Sequence, residues 1–153
     1  MKRDFPHVVS AFYGAIWAIL PSKLAELEHV LLTRIRTGRG LAWDDAAPRQ
    51  GGARGNSNAV KMDEGYTLIG SAAVVPISGT ITPRSSLFAE WSGGTSAERV
   101  GSAVDAAVVD PKADAIVLDI DSPGGYVAGV PEAAAKIAAA QKVKPVYMVA
   151  NHL

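Results

Sequence analysis

Most of the chemistry this chain can offer sits in one stretch, Asp119-Ile120-Asp121-Ser122-Pro123-Gly124-Gly125. Two adjacent glycines after a proline let the backbone turn so that amides point outward. They also let a second backbone approach without meeting a Cβ. Amides placed in this way stabilise negative charge developing on an oxygen, and losing one such donor typically costs about 2.7–4 kcal/mol of transition-state stabilisation. The same residues admit other readings. A tight left-handed turn made for folding alone uses the same residue types. Gly124, Gly125 and Gly129 follow a strand and precede a helix, as in a dinucleotide-binding turn, but their spacing is G-G-x-x-x-G rather than G-x-G-x-x-G. Asp119 and Asp121 alternate onto one face of a strand and could ligate Mg²⁺, yet only two ligands are visible, and turn-capping or solvated carboxylates account for them.

The elements that position this turn can be read from hydrophobic pattern. Ala115-Ile116-Val117-Leu118-Asp119-Ile120 is a nearly continuous apolar run, as expected for a strand buried on both faces. The turn therefore lies at the carboxyl end of a strand, where open α/β sheets gather their ligands. Ala72–Ile77 reads as an earlier strand, continued after Ser78-Gly79 by Thr80-Ile81, and Val146–Ala150 as a later one. Thr95-Ser96-Ala97-Glu98 reads as a capping box with Thr95 as the cap. It opens a helix with Val100, Ala103, Val104, Ala107 and Val108 along one side, ended by Asp110-Pro111. A second helix starts near Pro131, a residue suited to a first turn, and runs to about Lys142. Helices alternating with buried strands make the fold class α/β, with right-handed crossovers and a parallel sheet.

The chain has 153 residues, one domain's worth. Its 15 Lys+Arg balance 15 Asp+Glu, which argues against a dedicated nucleic-acid binder. With 48% hydrophobic and 20% charged residues it can bury a core. There is no cysteine, so disulfides, thiolate zinc sites and cysteine nucleophiles are excluded. Lys2-Arg3 followed by Val8–Leu20 imitates a signal peptide, but Asp4 spoils the basic end and no A-x-A cleavage site follows. We read the stretch as an apolar arm that packs on the domain or on a neighbouring subunit, with export not expected. Leu24, Leu27, Leu31 and Ile35 form one stripe of a helix over Ser22–Ile35, capped by Ser22 and favoured at its end by Arg34 and Arg36. Residues 38–65, with Gly38, Gly40, Gly51, Gly52 and Gly55, read as a flexible linker. The organisation is thus an arm and helix over 1–37, a linker over 38–65, and the main domain over 66–153.

The segment Asp114 to Gly125 resembles the signal peptide peptidase A family, serine peptidase family 49, most of all its phage branch of protein C-like head maturation proteases. The resemblance extends to Val74–Ile81 as the domain's first strand, Gly129-Val130-Pro131-Glu132 as the following helix start, Lys144-Pro145-Val146 as the next strand, and the arm with its helix. It implies a ClpP/crotonase-like parallel sheet, incomplete at its C-terminus. It also implies a serine endopeptidase with a lysine base, the lysine being deprotonated near neutral pH by burial. One oxyanion amide maps to Gly124 or Gly125, and Ser122, Pro123, Tyr126 and Val127 map to the substrate-binding side. The family's nucleophile follows the third strand, so it is expected a few residues beyond Leu153, with the lysine further on. No catalytic residue is expected within the chain, which is expected to be inactive alone. Ser78, Ser122 and Lys144 lack the strand-to-helix setting of an activated nucleophile or its base, and His152 reads as a surface residue.

The resemblance further implies a polypeptide substrate (scaffold, portal or capsid proteins), a homo-oligomer at full length, no nucleic acid and no cofactor. Its setting would be the bacterial cytoplasm or a phage prohead. A reading from another class is a non-catalytic capsid-assembly or oligomerisation module, a degenerate prophage remnant. A third is an acyl-CoA-binding crotonase relative, for which the sequence carries no adenine-binding signature.

Overall fold

The apolar run after Asp114 becomes an interior strand of the larger of two sheets in a computed structural model, which describes residues 6–37, 59–61, 64–84 and 93–152. Strands β1 (Trp17–Ile19), β2 (Ala59–Lys61), β3 (Thr67–Ile69), β4 (Ala72–Ser78) and β5 (Ile81–Thr82) are followed by β6 (Thr95–Ser96), β7 (Ala115–Asp121), β8 (Gly124–Tyr126) and β9 (Val146–His152). Helices α1 (Pro6–Tyr13), α2 (Pro21–Thr37), α3 (Ala97–Val109) and α4 (Val130–Ala140) complete the described elements. The large sheet has the order β2-β3-β4-β7-β9, and a small one has the order β1-β8-β5-β6. β4, β7 and β9 are parallel, with Ala72 opposite Ala115 and Ser78 opposite Asp121, so α3 and α4 lie in the crossovers of an α/β fold.

Three features of the sheet differ from the sequence expectation. First, Thr80-Ile81 does not continue β4. At Gly79, with φ +66°, the chain leaves the large sheet, and Ile81-Thr82 pairs in the small one. Only glycine adopts that φ without strain, and a Cβ there would also collide with the backbone of Gly93. Second, β7 is not buried on both faces. Ile116 and Leu118 are buried, but Ala115, Val117 and Asp119 are only half-buried, because α3 and α4 both cover the same face. Third, β2 and β3 add antiparallel strands beside β4. Residues 38–58 of the expected linker lie outside the described residues, and within its last part Ala59–Lys61 pairs with β3.

The main core joins Ala73, Val75 and Ile77 of β4 and Ile116 and Leu118 of β7 to Val100, Ala103, Val104 and Ala107 of α3. That is the predicted stripe of α3, with Val108 at its margin. Each valine, leucine or isoleucine among them contributes roughly 1.5–3 kcal/mol by leaving water. The cap of α3 is Ser96, whose hydroxyl accepts from the Arg99 amide at 3.0 Å, and not Thr95. Thr95 is taken by the sheet: its hydroxyl accepts from the Ser78 amide at 2.9 Å and donates to the Ser78 carbonyl at 2.8 Å. At the other end of α3 the Lys144 ammonium donates to the carbonyls of Ala107 at 2.9 Å and Asp110 at 2.7 Å. A cation there also suits the helix dipole.

The arm meets the rest of the chain through the pairing of β1 with β8. Phe12, Leu27 and Leu31 form a small core of its own, with Trp17, Ile19, Leu24 and Ile35 against it, so the α2 stripe faces α1 and β1. Helix α2 begins one residue early, at Pro21. The Leu20 carbonyl accepts the first helical bond from Leu24 at 3.1 Å, and Ser22 lies inside the first turn rather than capping it. Among the described residues no helix is long and apolar enough to cross a membrane.

Two predictions arise here. The buried Tyr66 phenol donates to the Asp110 carboxylate at 2.7 Å, and burial, followed by that bond and charge, pushes its pKa up to about 12. Between the usual tyrosine value of 10.0 and about 12 the unfolded chain releases this proton and the folded chain keeps it. Stability is therefore fully present below pH 10 and falls as pH rises to 12. In Tyr66→Phe that alkaline fall should be smaller, as read from urea midpoints at pH 9 and pH 11. The second prediction concerns β9, an outer strand of the large sheet, with Tyr147, Met148 and Val149 all exposed. A bare apolar edge templates pairing with another copy. The chain should self-associate with rising concentration, and Val149→Lys should reduce this in light scattering; a concentration-independent monomer would contradict it.

Candidate functional site

The corner between β7 and β8 is built from the Ser122 hydroxyl outward. Ser122 is 7% exposed, and its Oγ donates to the Gly79 carbonyl at 2.6 Å while accepting from the Gly124 amide at 3.2 Å. The Gly79 amide in turn donates to the Asp121 carbonyl at 2.9 Å. The exits from β4 and β7 are thereby pinned together, which fixes where Gly124 and Gly125 emerge. Ser122→Ala should leave the Gly79 carbonyl without this partner, at a cost of about 1–3 kcal/mol. Equal urea midpoints for the variant and the parent would refute that role.

Beyond the corner, β8 is flanked on both sides. Ile81 of β5 pairs with Gly125 in parallel, and β1 pairs antiparallel, with Trp17 opposite Tyr126, Ala18 opposite Gly125 and Ile19 opposite Gly124. The Leu20 amide donates to the Pro123 carbonyl and the Val127 amide to the Ile16 carbonyl, both at 3.0 Å. Antiparallel ladders alternate hydrogen-bonded and open pairs, so Ala18 and Gly125, midway between those bonds, are a bonded pair. The Gly125 amide thus faces the Ala18 carbonyl. Both glycines are required by close approach. A methyl group on Gly124, where φ is +104°, would collide with the Ala18 carbonyl oxygen, and one on Gly125 with the backbone of Ile81.

A hollow of about 270 Å³ lies against this strand, lined by Gly124, Gly125, Tyr126 and Val127 together with Ala18, Ile81, Val130 and Pro131. Its walls are almost wholly apolar. The Tyr126 ring stacks at a tilt on Trp17, centroids 4.1 Å apart, and burial raises its phenol pKa. Val127 is 39% exposed at the rim. Of the expected substrate-side residues, the structure brings Tyr126 and Val127 to the hollow with the two glycines, while Ser122 is buried in the corner and Pro123 turns its carbonyl to β1. Ala18 and Ile81 were not foreseen at this place. A three-residue strand in the arm carries no periodic signal.

The remaining candidates lie elsewhere. Lys144 caps α3, and Ser78 has both backbone groups held by Thr95. Asp119 accepts from the Asn151 side-chain amide at 2.5 Å. Among the described residues no group of three or more His, Asp or Glu side chains is placed to hold a metal ion. Gly129, with φ +86°, caps α4, and Pro131 sits in its first turn. The backbone of His152 pairs with Asp121 past a bulge at Ile120/Asp121.

No protein-family profile matches the chain. It is 34% identical over 159 aligned positions to the capsid assembly protease C of Escherichia phage lambda, a match covering 99% of this chain and 36% of that protein. It is 33% identical over 86 positions to the head-tail preconnector protein GP5 of Enterobacteria phage P21, covering 56% of this chain and 17% of that protein. The chain therefore spans about a third of the length of the first relative and less of the second.

Proposed function

We propose that this chain forms the substrate-facing front of a serine endopeptidase that processes phage capsid proteins. The observation that carries the reading is the 34% identity to a phage capsid assembly protease along 99% of the chain, glycine turn included. The apolar hollow beside that turn supports it. In this reading the nucleophilic serine and the lysine base come from sequence beyond Leu153, in the order of peptidase family 49. The serine hydroxyl adds to the substrate carbonyl and passes its proton to the lysine. In this reading the Ala18 carbonyl first gives up the Gly125 amide, which then holds the oxygen that becomes negative, while the Gly124 amide stays on the Ser122 hydroxyl. The amine leaves with a proton, and water releases the acyl group. The substrates would be scaffold, portal or capsid proteins, cut within a homo-oligomer in the prohead or bacterial cytoplasm.

The test is to translate the frame past Leu153 and co-express the longer product with its neighbouring capsid genes. An Ala-Ser segment followed by a lysine, and cleavage abolished by changing that serine to alanine, would support the reading. Absence of both residues would end it. The 33% identity to a head-tail preconnector protein over 56% of the chain favours a second reading, a non-catalytic assembly module; capture of a capsid partner with no cleavage would select it.

A further inference from the structure

The candidate turn already has a backbone lying across it. We infer that β1 is an intramolecular stand-in for an extended peptide, and that β8 is a docking edge for peptides that present an aliphatic side chain opposite Gly125. The inference rests on reading the β8 turn as substrate-facing.

Three observations carry it. The first is the position of the Ala18 carbonyl, which meets Gly125 in the ladder and fills the space that any side chain at 124 would need. A peptide paired antiparallel in the same register would bring its own carbonyl to that spot. The second is the fit. Ile16, Ala18 and Leu20 alternate onto the exposed face of β1, and Ala18 lines the hollow of about 270 Å³ with only a methyl group. Ile81, Tyr126, Val130 and Pro131 around it offer apolar contact that alanine leaves unused. A leucine or valine there would remove more apolar surface from water, at about 0.8 kcal/mol per CH₂. At the Ala18 position the arm is thus an under-filling occupant, and a displacing peptide must also replace the Trp17–Tyr126 ring contact. The third is independence. The arm core of Phe12, Leu27 and Leu31 shares no member with the main core, so β1 can leave β8 without opening the main core.

The probe is a fluorescein-labelled peptide copying residues 15–20 with leucine in place of the Ala18 residue. Its binding to the 153-residue chain, to Ala18→Pro and to Ala18→Leu is read by anisotropy. Proline removes the Ala18 amide from the ladder, so Ala18→Pro should bind the probe at least tenfold more tightly than the parent. Leucine fills the hollow from within, so Ala18→Leu should bind it more weakly than the parent. Equal affinity in all three would overturn the inference, as would no binding by Ala18→Pro. Hydrogen exchange on the parent needs no variant. The Gly125 and Val127 amides should exchange well before those of β4 and β7; exchange only together with them would mean that β1 is a permanent strand. None of these readouts requires hydrolysis, so they are independent of the peptidase reading. A longer product that cleaves peptides at a rate indifferent to Ala18→Pro and Ala18→Leu would overturn the arm's role and leave the peptidase standing.

Discussion

Gly125→Ala is expected to cost more than the roughly 1–3 kcal/mol of ordinary over-packing and to part β5 from β8. The three atoms nearest the new methyl group would be the oxygen, nitrogen and carbonyl carbon of Ile81. All are main-chain, so no rotamer change can make room. Gly70→Ala is the control. Gly70, unlike Gly125, has a positive φ, +62°, but nothing lies within 4 Å of its Cβ position, so it should lose only the left-handed penalty of about 1–2 kcal/mol. Urea midpoints of the two variants decide the matter. If Gly125→Ala costs no more than Gly70→Ala, the close approach of β5 to the glycine strand is wrong. On the proposed function the same variant should also abolish peptide cleavage by the longer product, since the strand carrying the acyl-oxygen donor would be displaced.

Leu118→Ala should cost about 2–5 kcal/mol, a large part of the 5–15 kcal/mol that holds a typical domain folded. Leu118 is 1% exposed in β7, beneath α3, and the strand ends at the corner that places the glycines. Val149→Ala, on the 47% exposed edge, should stay within about 0.5 kcal/mol. A Leu118→Ala loss below that of Val149→Ala would mean that the packing of α3 on β7 has been misread. Loss of cooperativity in the Leu118→Ala melt would be read as a failing core rather than a failing site.

The strands and helices of the large sheet were legible in sequence because their signals are long. Four apolar residues in a row, Ala115–Leu118, with Ile120 just past Asp119, announce β7, and Val100, Ala103, Val104 and Ala107 announce the buried side of α3. What failed were the places where neighbouring residues compete for one role. Thr95 and Ser96 are both hydroxyl residues that can cap a helix; the ladder needed Thr95 to hold Ser78, so Ser96 took the cap. Thr80 and Ile81 are good strand formers, and nothing in their types says that the chain changes sheets at Gly79. Pairing of Trp17–Ile19 with Gly124–Tyr126 was invisible for a different reason. The partners lie over a hundred positions apart, and three residues are too few to show a period. The turn itself was legible as glycines that admit a second backbone, but not which backbone arrives. Nor did the apolar run around β7 show that one face is only half-covered, since apolar residues serve either case.

The double tie between Ser122 and Gly79 and between Gly79 and Asp121 has a mechanical meaning. It rivets the two exits of the large sheet at one level, so Ile81 and Gly125 leave from a common anchor. A shift of either exit is thereby passed to the other, so Ile81 and Gly125 move together relative to Val130 and Pro131 of α4 across the hollow.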